Sequence, residues 1–173
     1  MPGALAQRTL TDIARGVACA EDWWRPHAHH DPSERRPVRL LATDSYEVWV
    51  IGWTAGQGVE LHDHGDSAGA IVVVEGELAE LELDVAAGTL RRRPLRPGGV
   101  HHVPVGHVHD VVAPRNLPTT SIHVYSPPLT TMRRWDPVTL EPGDQEVVAS
   151  QPASFPSVGG THPLHPSSAR LTG

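Results

Sequence analysis

Residues 56–76 read GQGVELHDHGDSAGAIVVVEG, and the reading of this stretch decides the fold. His62 and His64 stand two apart, so on a strand both imidazoles project from the same face. The glycines ahead of them let the chain turn, and Glu75-Gly76 supplies the turn into the next strand. Two imidazoles on one strand face are the start of a metal site. A solvated His-Asp-His surface strand fits the pair equally well, so the neighbouring sequence has to decide.

Working outward, EVWVIGW (47–53), GAIVVVEG (69–76), ELAELELDV (77–85), GTLRRR (88–93), GVHHV (99–103), HVHDVVA (107–113) and TTSIHVYS (119–126) are short, β-branched or alternating. Gly or Pro separates them, and no helical pattern intervenes. Strands following one another in this way predict an all-β antiparallel barrel or sandwich. In ELAELEL the alternation places Leu78, Leu81 and Leu83 toward the core, with Ala79 and Glu80 as interruptions. Ahead of the strands, Leu10, Ile13, Ala14 and Val17 recur at helical spacing, and Thr11-Asp12 offers a cap or turn. That helical decoration covers about residues 4–22, with Cys19 as a buried packing residue, and a loop or short helical turns run from Trp23 to Pro37. The barrel covers about residues 38–136, within a single domain of residues 1–149. Residues 150–173, rich in Ser, Pro and Gly, read as a flexible tail, which makes His162 and His165 poor ligands.

Composition narrows the function classes. The 173 residues suit one domain, and a net charge of −6 argues against nucleic acid as a partner. No apolar stretch exceeds strand length, and the N-terminus has no secretory apolar block, which predicts a soluble, cytoplasmic protein with no membrane partner. A monomer is expected. Cys19 is the single cysteine, so an intramolecular disulfide and a Cys-rich zinc site are both excluded. The 12 histidines nearly match the 14 Lys plus Arg, and they direct attention to an imidazole metal site.

A second stretch, GGVHHVPVGHVHDVVA (98–113), completes the pattern. Gly56, His62, His64 and Gly76 keep the intervals of G-x5-H-x-H-x4-E-x6-G, while Gly98, Pro104, Gly106 and His109 keep those of G-x5-P-x-G-x2-H-x3-N. Together they resemble the two cupin motifs, which implies a double-stranded β-helix, or jelly-roll, barrel. Two positions depart: the motif's Glu falls on Gly69 and its Asn on Ala113. The expected ligand set is therefore three neutral imidazoles, suited to a substrate that brings its own negative charge, such as a thiolate. For the third ligand His109 is preferred over His101, His102 and His107, with His107 the alternative. Asp63 and Asp66 are expected not to ligate.

A third stretch, SIHVYSPP (121–128), following HDHGDS, resembles the cysteine dioxygenase family of thiol-oxidising cupins over roughly residues 36–136. The resemblance implies that Ser121, His123 and Tyr125 form a hydrogen-bonded relay beside the metal, and alternation puts all three on one strand face. It implies Fe(II) on His62, His64 and His109, a small thiol and O2 as reactants, and cysteine sulfinic acid as the product from L-cysteine. The slot of the cysteine that cross-links to the tyrosine in mammalian members is Gly69 here, so the chain resembles the bacterial type without a thioether. Cysteamine and 3-mercaptopropionate are the alternative substrates, and a non-catalytic metal-binding sensor or binding module is the alternative of a different class.

Arginine suits the substrate carboxylate because its planar fork engages both oxygens. Arg39 occupies the place of the family's carboxylate-binding arginine, although Pro37 stands where a tyrosine is usual. Arg35 and Arg36 are its rivals. Arg133 and Arg134 follow the relay strand, where relatives that oxidise 3-mercaptopropionate carry their arginine. Trp53, on the strand leading into the metal motif, is a candidate wall of the substrate pocket, beside its simpler role as a core residue.

Overall fold

Short apolar segments punctuated by Gly and Pro are too brief for helices and long enough to pair edge to edge. The computed structural model describes residues 4–114 and 117–148. Strands β1 (Val38–Ala42), β2 (Glu47–Trp53), β4 (Ala68–Glu75), β7 (Val100–Val103) and β9 (Thr119–Ser126) form one sheet, ordered β1-β2-β9-β4-β7. Strands β3 (Gly58–Asp63), β5 (Leu78–Asp84), β6 (Thr89–Leu95), β8 (Val108–Val112), β10 (Thr131–Trp135) and β11 (Pro142–Val147) form the other, ordered β11-β10-β3-β8-β5-β6. Pairing is antiparallel throughout, and the chain passes back and forth between the sheets in the manner of a jelly roll.

The central strands of the first sheet are buried on both faces. Trp49, Ile51, Trp53, Ile71, Val73 and Tyr125 point into the barrel. Val48, Val50, Val72, Ile122 and Val124 point outward, where α1 (Gln7–Cys19) and the short α2 (Glu21–Trp24) cover them with Leu10, Ala14, Val17 and Trp24. An isolated 13-residue helix is marginal in water. This one is held by its apolar stripe, at roughly 1.5–3 kcal/mol for each large side chain buried. The stripe is the one its sequence predicts, but two details differ. Thr11 lies inside α1 rather than capping it, its hydroxyl donating to the Gln7 carbonyl at 2.9 Å. Cys19, at the last position of α1, is exposed rather than packed.

Strand β5 corrects the predicted inward face. Glu80 is buried, whereas Leu81 is only half-buried. Leu83 packs with Leu61 and Val108 in a separate apolar cluster, which Trp135 and Leu140 adjoin. Both faces of β5 are thus covered, so apolar alternation alone could not tell inside from outside. β10 and β11 extend the second sheet at the edge where it pairs with β3.

Between the 3-10 turn Arg25–His27 and β1 the chain crosses β2. Gly52 makes the crossing possible, since a Cβ there would collide with the His29 carbonyl. His30 Nε2 donates to the Thr119 carbonyl at 3.2 Å, and Gln57 Nε2 donates to the Asp31 carbonyl at 2.7 Å. These bonds fasten a strap that delivers Arg35 to the barrel interior. Residues 150–173, read as a flexible tail, lie outside the described residues.

Candidate metal centre and relay

His62 on β3 faces His109 on β8 directly in the antiparallel register. His64 follows the end of β3, in a turn where Gly65 has φ of 56° and Ser67 N–H donates to the His64 carbonyl at 3.1 Å. Ring centroids lie 4.7 Å apart for His62 and His64, 4.8 Å for His62 and His109, and 5.2 Å for His64 and His109. One nitrogen from each ring lies within 4.8 Å of the others, and all three residues are buried.

Hydrogen bonds set which nitrogens converge. His62 Nδ1 donates to the Glu60 carbonyl at 2.7 Å, and His109 Nδ1 donates to Glu80 Oε1 at 2.7 Å. Their Nε2 lone pairs are left for the centre. His62 Nε2 and His64 Nε2 stand 3.2 Å apart, while His64 Nδ1 is buried with no partner among the described residues. Burial holds all three imidazoles below their usual titration range, so they are neutral ligands; for His109 the hydrogen bond to Glu80 partly opposes this. Three neutral nitrogens around one point fit a divalent transition metal. Asp63 takes no part: its oxygens accept from Gly65 N at 2.9 Å and Trp135 Nε1 at 2.8 Å.

His107 stops short of the triad. Its ring lies 4.9 Å from that of His109, and its Nε2 meets Glu80 Oε1 at 3.0 Å. His102 is further off, on β7, with its Nε2 3.1 Å from Thr11 Oγ1. The ring of His101, the neighbouring candidate on β7, is likewise absent from the triad, so the structure brings His109 to His62 and His64.

On β9 the three relay residues share the inner face. Ser121 Oγ is 2.8 Å from His123 Nε2, and His123 Nδ1 is 3.0 Å from Tyr125 Oη. Trp53 Nε1 donates to Ser121 Oγ at 2.8 Å. Ser121 is fully buried, so its own hydrogen needs an acceptor, and His123 Nε2 is the one within reach. His123 then carries its proton on Nδ1 and donates to Tyr125, whose hydroxyl hydrogen is left to point at the cavity. Burial, with the Arg35 charge adding to it, pushes His123 down to about 3, keeping it neutral. Burial, helped by Glu47, raises the Tyr125 hydroxyl above its usual range, against an opposing effect of Arg35. Its ring lies 4.8 Å from that of His64. Beneath it, Gly69 leaves room for the ring: a Cβ there would sit 2.9 Å from Tyr125 Cδ1.

The cavity over the triad encloses about 350 Å³, including its mouth, and Arg35, Trp53, His123, Tyr125 and Met132 contribute to its walls. The Arg35 guanidinium lies 4.8 Å from the Trp53 ring centroid. Arg39 is turned elsewhere. It pairs with buried Glu47 at 3.5 Å and stacks 5.6 Å from the Trp49 ring centroid. Arg133 and Arg134 are also outside the walls, and Arg134 binds Glu60 and Glu146, each at 3.0 Å. Of these arginines, Arg35 and not Arg39 lines the cavity, because the strap and not β1 enters it. Sequence reasoning did not find Met132 or the role of Glu80. Glu80 carries no signal in the sequence, because its place beside His109 comes from the pairing of β5 with β8.

Comparison with known proteins agrees with this geometry. The chain is 24% identical over 125 residues to cysteine dioxygenase type 1 of Danio rerio, covering 65% of this chain and 61% of that one. It thus spans about three-fifths of the length of that curated relative. The crystal structure of TT1209 from Thermus thermophilus superposes with a TM-score of 0.53 at 19% identity, over 60% of this chain and 93% of that one. A Klebsiella pneumoniae protein with a double-stranded β-helix domain gives 0.51 at 20% identity, over 60% and 85%. These structural likenesses show the cupin-type β-helix fold. Among the described residues, no helix is long and apolar enough to cross a membrane. The family model for cysteine dioxygenase type I matches residues 8–138, most of the strands and all three histidines of the triad included, and the chain belongs to that family.

Proposed function

We propose that this protein is an iron-dependent thiol dioxygenase that converts L-cysteine and O2 into cysteine sulfinic acid (RSH + O2 → RSO2H). The observation that carries the reading is one cavity whose walls present the three-imidazole set, the Tyr125 hydroxyl and the Arg35 guanidinium together. Fe(II) held by His62, His64 and His109 would supply the open coordination positions and the redox chemistry that bring thiolate and O2 together.

The chain's own residues divide the remaining work. Arg35 binds the substrate carboxylate with its fork, and Trp53 backs that guanidinium with its ring face. Tyr125 holds a proton at its hydroxyl, which the Trp53-Ser121-His123 chain orients toward the reacting sulfur and oxygen atoms. Ile51, Val59, Val111 and Met132 line the rest of the cavity and limit water. A binding module without turnover would have no use for a directed relay.

Oxygen uptake by the Fe(II)-loaded protein with L-cysteine, 3-mercaptopropionate and cysteamine, with product masses, tests the reading. Two oxygens added to cysteine in preference support it. Preference for 3-mercaptopropionate keeps the chemistry and changes the substrate. No uptake with any thiol by the metal-loaded protein overturns it.

A further inference from the structure

The three ligands are not held alike. His62 leans on a neutral backbone carbonyl, and among the described residues His64 Nδ1 has no partner. His109 alone of the three donates to a carboxylate, that of Glu80. Glu80 sits on β5, the strand beside β8, and its side chain is 1% exposed. Oε1 accepts from His109 Nδ1 at 2.7 Å and from His107 Nε2 at 3.0 Å, while Oε2 accepts from Arg93 Nε. An ionised carboxylate this deep costs several kcal/mol unless its oxygens are bonded. His107, His109 and Arg93 supply those bonds.

A pair of anchors on Glu80 from outside the triad has a geometric consequence. Arg93 and His107 fix the carboxylate, and the fixed carboxylate fixes the His109 ring plane and its proton on Nδ1. The place where the cupin motif carries its ligand glutamate is Gly69, so the triad itself holds no anion. We infer that Glu80 is the positioning residue of the metal centre: it aims His109 Nε2 at His62 and His64 and supplies, one residue removed from the ion, the negative charge that three imidazoles lack. The inference rests on the metal-centre part of the proposed function and not on the identity of the thiol. Carboxylate partners of metal-bound histidines act in this way generally, and their loss weakens metal affinity roughly 10–100-fold.

The test is a competition titration of Co(II), and of Fe(II) under anaerobic conditions, against a chromophoric chelator, using the full chain. Glu80→Gln preserves shape and removes the charge. Its expected Co(II) dissociation constant is about 10–100-fold higher than wild type, with altered visible Co(II) absorption. Glu82→Gln, at a half-buried partner of His107, is expected to match wild type. Should circular dichroism show Glu80→Gln unfolded, Glu80→Asp serves instead. It keeps the charge but withdraws it from His109 by one methylene, and the same weakening and spectral change are expected. Wild-type affinity and spectrum in a folded Glu80→Gln or Glu80→Asp protein overturn the inference. Metal binding with no thiol oxidation would sink the proposed function and leave Glu80's role standing, whereas a wild-type chain that binds neither metal would sink both.

Discussion

The indole N–H of Trp53 donates to Ser121 Oγ at 2.8 Å, and this bond gives the buried relay its direction. With one lone pair occupied from β2, Ser121 satisfies its remaining hydrogen by donating to His123, and polarity passes from there to Tyr125. Trp53→Phe keeps a ring under Arg35 but removes the donor. The expected result is about a tenfold fall in kcat, corresponding to about 1.4 kcal/mol, with unchanged metal content. Trp53→Phe combined with Ser121→Ala should be no worse than the weaker single variant. A wild-type kcat in Trp53→Phe would remove the indole from the relay.

Arg35 and Arg39 should separate cleanly in kinetics and stability. Truncating one partner of a buried charged hydrogen bond costs roughly 2–5 kcal/mol. Arg35→Ala should therefore raise KM for carboxylated thiols about 30-fold or more, while cysteamine kinetics stay near wild type. Arg39→Ala should leave KM alone. It should lower stability by about 1–2 kcal/mol in urea unfolding, because Glu47 stays buried without its cation. That value is discounted, since the 3.5 Å pair has an Arg39 side chain that is 24% exposed.

Gly69 is the floor beneath Tyr125. A Cβ at Gly69 would meet Tyr125 Cδ1 at 2.9 Å and Cε1 at 3.1 Å, close enough that the ring must move. Gly69→Ala should therefore stretch the 3.0 Å bond between His123 and Tyr125. The expected signature is a fall in kcat and a destabilisation of about 1–3 kcal/mol, with metal affinity retained. Loss of metal with intact kcat per bound ion would contradict it.

Acid should weaken the metal-free fold over the range in which unfolded imidazoles take up protons. His123 is held at about 3, and His62, His64 and His109 are also held below their usual value. Unfolded imidazoles bind protons below a pH of about 6.5, so between there and the folded values the unfolded chain binds more protons. Stability is then full above that point and falls as pH falls, by up to about 1.4 kcal/mol per pH unit for each such imidazole. Urea midpoints of the metal-free protein at pH 7.5 and 5.5 check this. A flat profile would mean that these imidazoles do not stay neutral on burial.

Much of the site is local enough to read from sequence. His62 with His64, and Ser121 with His123 and Tyr125, are neighbours on single stretches of chain; the two-residue strand repeat suffices for the β9 set, while the turn after β3 brings His64 to His62. Cupin spacing then relates His109 to the first pair. The motif resemblance supplied His109, and the register of β3 against β8 places it opposite His62.

Other assignments needed the folded chain. Of the leucines expected toward the core, Leu78 lies in the barrel, Leu83 is buried on the other face beside Trp135 and Leu140, and Leu81 is half-buried, because apolar residues occupy both faces of β5. Alternation reports that two faces exist, and only the layers packed on them decide which one is inside. Glu80 reads as an interruption until β8 brings His107 and His109 to it and β6 brings Arg93. Arg35 is one of several nearby arginines until Gly52 lets the strap cross β2. The strand pattern by itself determined the barrel, and the family resemblance carried by HDH, His109 and SIHVY pointed to the expected ligands and to the order Ser121, His123, Tyr125. Tertiary structure alone decided which arginine enters the cavity, which carboxylate stands behind His109 and which donor starts the relay, because each depends on contacts between segments distant in the chain.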